Sequence, residues 1–136
     1  MSASPQVSVI VPTWERAAVV GDAVRSVLAQ EGPSLEVIVV DDGSTDDTLA
    51  RLEALADPRV RVLCEPHRGV GAARNAGVAV ARGDYVAFHD SDDVALPGRL
   101  ARSIATLEAH PEAGLVIMNG RFLPPEDAPA AGEQPW

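Results

Sequence analysis

The stretch Leu35 to Thr48, LEVIVVDDGSTDDT, changes character abruptly after Val40. Leu35 to Val40 is an apolar, largely β-branched run of the length of a strand, and it reads as a strand buried on both faces, as in a parallel sheet. Asp41-Asp42-Gly43 breaks it. Ser44 or Thr45 can then cap a helix carrying Leu49, Leu52 and Leu55, which Asp57-Pro58 closes. A buried strand, a polar turn and a helix in succession form half of a βαβ unit.

The same alternation extends in both directions. Upstream, Val7 to Val11 reads as a strand stopped by Pro12, and Val20, Ala23, Val24, Val27 and Leu28 make one helical stripe ended by Gly32-Pro33. Downstream, Val60 to Leu63 predicts a third strand, followed by the loop Pro66 to Gly69 and an Ala-rich helix from about Val70 to Ala81, with Gly83 just past its end. Tyr85 to Phe88 predicts a fourth strand. Pro97 suits the first turn of a helix carrying Leu100, Ile104 and Leu107, and Leu115 to Met118 predicts a fifth strand. The fold class is therefore α/β: three layers, α/β/α, around a mainly parallel sheet. Residues 1–123 form the expected domain, and the Pro- and Ala-rich residues 124–136 form a tail or linker.

The chain of 136 residues, 46% hydrophobic, is long enough for one core and too short for two. A formal charge of -9 disfavours nucleic acid and anionic membranes as partners. All 11 basic residues are Arg; without Lys, Schiff-base and P-loop chemistry is excluded. Cys64 is alone, which removes a disulfide framework and suits a reducing compartment. No leader pattern opens the sequence and no apolar run approaches the ~20 residues of a membrane span, so a cytoplasmic location is expected.

Polar residues gather where strands end. Pro12 to Arg16 follows the first strand, Asp41 to Ser44 the second, and Asp90-Ser91-Asp92-Asp93 the fourth. A parallel sheet brings these loops to one edge, the edge at which such folds bind ligands. Crowded carboxylates repel one another, and a divalent cation relieves that repulsion. Mg²⁺ or Mn²⁺ suits all-oxygen ligation, held by one or two carboxylates with substrate phosphates completing its shell. A solvated turn and helix cap is the alternative reading of Asp90 to Asp93.

The ordered motifs VSVIVPTWER, VIVVDDGSTDDT, GVGAARNAG and DYVAFHDSDD resemble the nucleotide-binding half of a family 2 glycosyltransferase with the GT-A fold, over about Val7 to Leu100. Asp90-Ser91-Asp92 matches the family's DxD feature. The resemblance implies a nucleotide-diphospho-sugar donor, a UDP-sugar, with Asp92 as ligand of its metal and Asp90 as second ligand near the ribose and donor sugar. It also implies that Asp42, with Asp41 beside it, hydrogen-bonds a pyrimidine. Pro12 and Thr13 match the loop that closes over the nucleoside, and Arg74 matches a basic residue near the nucleotide; Ser91 belongs to the same donor site.

Two departures accompany the match. Trp14-Glu15 stands where many members carry Tyr-Asn, and the sequence stops before the region that supplies the acceptor pocket and catalytic base in inverting members. Glu126-Asp127 imitates the family's ED dipeptide but comes too soon after the metal motif. The resemblance thus implies sugar transfer with inversion to an unknown acceptor, with the base outside this sequence; a non-catalytic nucleotide-sugar-binding module is the alternative. A sheet lacking later strands would have an open edge, so a homo-oligomer is expected. A phosphoacceptor signalling domain would need its paired acids after the first strand and a Lys. A dinucleotide-binding fingerprint would need a third Gly where Arg74 stands.

Overall fold

The computed structural model describes residues 4–122, so the tail 124–136 and Glu126-Asp127 lie outside the described residues. Four strands form one all-parallel sheet in the order β3-β2-β1-β4: β1 (Val7–Thr13), β2 (Leu35–Asp41), β3 (Val60–Cys64) and β4 (Tyr85–Phe88). The helices between and after them are α1 (Val20–Leu28), α2 (Thr48–Glu53), α3 (Val70–Ala79) and α4 (Arg99–Ala109). Among the described residues no helix is long and apolar enough to cross a membrane.

Alternation along the two central strands divides the core. Val7, Val9 and Val11 with Leu35, Val37 and Val39 pack in one cluster with Val20, Val24, Val27, Leu52, Leu100 and Ile104, the apolar stripes of α1, α2 and α4. Ile10, Ile38 and Val40 face the other way onto Ala73 of α3. That second contact is tight because α3 presents small residues; a Cβ at Gly77 would lie 2.5 Å from Ile10 Cγ2.

Several boundaries differ from the expectations. β1 continues through Pro12 to Thr13 rather than stopping at Pro12. The Thr13 carbonyl accepts the Asp42 N–H on the β2 side, while the Ile10 carbonyl accepts the His89 N–H on the β4 side. Residue 12 therefore faces β4, whose last residue, Phe88, is paired with Ile10. The missing N–H of Pro12 falls where no partner strand runs, and the ladder loses nothing.

Helix α2 begins at Thr48, later than a cap at Ser44 or Thr45 predicts. Those side chains are engaged elsewhere: Ser44 Oγ accepts the Glu15 N–H at 2.9 Å, and the Thr45 N–H and hydroxyl both donate to Glu15 Oε1. Thr48 Oγ1 accepts the Arg16 N–H at 2.9 Å and Asp46 accepts the Ala17 N–H at 3.2 Å. The loop after β1 is thus stitched to the loop after β2. Helix α3 ends at Ala79, short of Ala81, and α4 begins at Arg99, after Gly98 in a left-handed conformation (φ 78°).

The expected fifth strand does not form: residues 115–118 carry neither helix nor strand, and Leu115 and Ile117 are 70% and 85% exposed. A short apolar run becomes a strand only by pairing with an edge, and this one pairs with none among the described residues.

At the amino edge of the sheet a carboxylate is buried within an apolar strand. Glu36 of β2 accepts hydrogen bonds from Ser8 Oγ at 2.7 Å, the Arg82 N–H at 2.9 Å and Arg82 Nη2 at 2.6 Å, with Arg61 Nη1 at 3.3 Å. Burial alone would raise its pKa; the Arg82 guanidinium, the Ser8 hydroxyl, the Arg82 N–H and Arg61 outweigh burial and hold it at about 2. Gly83 lies against this cluster, where a Cβ would come within 2.6 Å of the Ser8 nitrogen.

Candidate functional site

The opposite, carboxyl edge carries an open cleft of about 300 Å³. Pro12 and Thr13 from the end of β1, Asp42 after β2, Arg74 on α3, and Asp90, Ser91 and Asp92 after β4 all line it. Asp41 does not. It is 2% exposed beneath the floor, where Oδ2 accepts the Ser44 N–H at 3.0 Å. The lining also includes Trp14, for which the sequence leaves open stacking on a base or covering the core, together with Arg16 and His67, to which it assigns no site role.

Asp42 is the anchor of one wall. Its Oδ1 accepts the Arg68 N–H and its Oδ2 the Gly69 N–H, each at 2.8 Å. His67 Nδ1 lies 2.9 Å from Oδ2 and 3.0 Å from the Asp42 carbonyl. Burial pushes this carboxyl up, but the two amides and the His67 ring prevail and its pKa is lowered. The carboxylate therefore remains charged while almost enclosed. Trp14 stacks on His67, with ring centroids 4.5 Å apart and planes inclined by 27°, so its exposed indole extends the wall rather than covering the core.

The acidic turn makes the other wall. Arg74 Nη2 donates to Asp90 Oδ1 at 2.8 Å, and the guanidinium carbon stands 5.9 Å from the centre of the Phe88 ring. Arg16 Nε approaches Asp92 Oδ2 only to 3.5 Å. Burial first, and then the charges of Asp93 and Asp90, raise the Asp92 pKa against the opposing pull of its own backbone N–H and Arg16; Asp93 is raised by burial and by Asp90. The turn is held from behind. Arg99 Nη2 donates to the Phe88 carbonyl at 2.7 Å and Nη1 to His89 Nδ1 at 2.9 Å. A guanidinium only donates, so Nδ1 accepts, and the proton of the neutral ring sits on Nε2, which donates to the Asp93 carbonyl at 3.1 Å. Burial, then the Arg99 charge, pushes His89 down to about 4, which keeps it neutral. His89 is thus a buried brace behind the acidic turn.

Three loops and a helix start from a parallel sheet converge here on a surface with both carboxylates and guanidiniums. Arg74 Nε and Thr13 Oγ1 are buried there without a protein partner.

The class follows from this architecture: a Rossmann-like α/β unit of the GT-A type, with its loops gathered over the carboxyl edge. The chain belongs to glycosyl transferase family 2, whose sequence model matches residues 8–125. It is 46% identical over 106 residues to the succinoglycan biosynthesis protein ExoO of Rhizobium meliloti, covering 77% of this chain and 30% of that protein. Among solved structures it resembles S. aureus TarS 1-349 in complex with UDP-GlcNAc, with a TM-score of 0.73 and 32% identity over 88% of this chain and 37% of that one. It also resembles the mannosyltransferase PcManGT from Pyrobaculum calidifontis in complex with GDP-Man and Mn²⁺, with a TM-score of 0.70 and 31% identity over 78% of this chain and 33% of that one. The chain spans from 14% to 35% of the length of the curated relatives it matches.

Proposed function

We propose that this chain is the donor-binding portion of a family 2 glycosyltransferase, taking a UDP-sugar with Mg²⁺ or Mn²⁺ for transfer to an acceptor with inversion. Residues 1–123 form the donor domain. The observation that carries this reading is the convergence on one cleft of Asp42, Arg74, Asp90 and Asp92 from three separate segments.

Asp42 accepts the base N–H, Pro12 and Thr13 border the nucleoside, and Arg74 and Arg16 offset charge on the diphosphate. Asp92 and Asp90 hold the metal. The donor set fits a hard cation: two carboxylates one residue apart in a turn, mutually repelling, with Asp92 joined to a guanidinium only at 3.5 Å. When bound, the cation supplies positive charge against the departing diphosphate. In transfer, the acceptor oxygen bonds to the anomeric carbon as the bond to the diphosphate oxygen breaks, and the acceptor proton passes to a base. With Asp42 assigned to the base and Asp90 and Asp92 to the metal, no carboxylate lining the described cleft is left to take that proton. That observation favours, as a second reading, a module that binds the donor without completing transfer.

Calorimetric titration of UDP, GDP, ADP and NAD, with and without Mn²⁺, tests the reading on the parent and Asp92→Ala. Metal-dependent UDP binding that is lost in the variant is expected. A folded parent that binds no nucleotide would sink the proposal, and an assay of UDP-sugar transfer separates enzyme from binder.

A further inference from the structure

We propose that His67 selects the base: by covering Oδ2 of Asp42 it leaves a single acceptor for the nucleobase edge, which suits uracil and rejects guanine. This rests on the donor-site reading above and deepens it.

The inference follows from counting acceptor sites. A carboxylate offers about four, two on each oxygen. Oδ1 of Asp42 receives the Arg68 N–H, while Oδ2 receives the Gly69 N–H and faces His67 Nδ1 at 2.9 Å. Both neighbours of Nδ1, this oxygen and the Asp42 carbonyl at 3.0 Å, only accept, so Nδ1 carries the proton. That proton donates to the Asp42 carbonyl, and the imidazole edge, with Nδ1 2.9 Å from Oδ2, covers that oxygen against a ligand; the Asp42 side chain is only 5% exposed. The vacancy that remains is on Oδ1. Uracil presents one imide N–H flanked by carbonyls and needs one acceptor. Guanine presents two adjacent donors, N1–H and N2–H, and needs both carboxylate oxygens. Burying the second guanine donor against a covered oxygen leaves it unpaired, the kind of mismatch that discriminates strongly between ligands. His67 is therefore a specificity-determining residue that acts through Asp42, and Trp14 stacked on its outer face keeps the ring in place.

The test compares the affinities of UDP and GDP, with Mn²⁺, for the parent, His67→Asn, His67→Leu and His67→Ala. Asn carries its amide nitrogen on the same γ carbon position as His Nδ1, so it retains the donor while removing the ring stack; Leu and Ala remove both. The position is half exposed, and circular dichroism confirms that each variant is folded. The parent is expected to prefer UDP by about tenfold or more, His67→Asn to keep that ratio, and the two donor-less variants to lower it about tenfold, mainly by gaining GDP affinity. An unchanged ratio in Leu and Ala variants that still bind UDP, a ratio lost in His67→Asn, or a parent that prefers GDP would each overturn the role of His67 and leave the donor site standing. A folded parent that binds neither nucleotide overturns both.

Discussion

Glu36→Gln isolates how far the fold depends on a charge buried far from the cleft. The Glu36 carboxyl is lowered from 4.5 to about 2 by the net effect of burial, which opposes ionisation, and of Arg82, Ser8 and Arg61, which favour it. At about 1.4 kcal/mol per pH unit, ionisation of this group stabilises the folded chain by about 3 kcal/mol at pH 7. That figure is an upper bound because the Arg82 side chain is 61% exposed and its pairing is screened by water. The folded-state pKa is depressed, so the contribution is complete above about 4.5 and is lost as pH falls toward 2. Linkage leaves about 1.4 kcal/mol of it at pH 3. Glutamine keeps the shape and an acceptor for Ser8 but cannot ionise. Urea unfolding of parent and variant in 0.15 M salt, where repulsion within a chain of charge -9 is damped, should give a difference of up to about 3 kcal/mol at pH 7 that shrinks by about half at pH 3. Equal stabilities at pH 7, or a difference that does not change with pH, would refute the reasoning.

Other perturbations probe the packing and the cleft. Gly77→Ala should lower stability by about 1–3 kcal/mol in urea melts despite the better helix propensity of Ala, because its methyl would meet Ile10 at 2.5 Å. Gln30→Ala should cost about 2 kcal/mol, since the buried amide donates to the Leu96 carbonyl at 3.0 Å and accepts the Leu100 N–H at 3.2 Å, tying α1 to the start of α4; thermal unfolding reads the loss. Asp42→Asn should weaken UDP binding at least tenfold in calorimetry and also lower the melting temperature, because an amide cannot accept from Arg68, Gly69 and His67 together. A variant that binds UDP normally would remove Asp42 from the site.

Whatever depends on local pattern was legible in the sequence. Val37, Val39 and their neighbours announce a two-sided strand by composition, and the loops that follow such strands must share an edge, so the meeting of Asp42 with Asp90 to Asp92 follows once the sheet is parallel. Arg74 reaches the cleft because α3 packs across the face of the sheet that carries Ile10, Ile38 and Val40. Glu36 was passed over because its partners, Ser8, Arg61 and Arg82, come from three other places in the chain, and no local rule joins them. His67 gained its place for the same reason. Ser44 and Thr45 do not cap the helix because Ser44 Oγ accepts the backbone N–H of Glu15 and the Thr45 hydroxyl donates to the Glu15 carboxylate, partners far back in the chain. Leu115 to Met118 failed as a strand because a strand is a property of a pair, and an apolar run specifies only one member.

Pro12 decides where the acidic turn begins. Extending the β1–β4 register by two residues puts Pro12 opposite Asp90, and the next ladder rung would require an N–H that proline does not have. β4 leaves the sheet after His89, and the turn carrying Asp90 and Asp92, held from behind by Arg99 and His89, stands over the cleft instead of zipping onto β1. The rung that would carry the β1–β4 ladder on into the acidic turn has no donor, so a single absent hydrogen marks the boundary between scaffold and site.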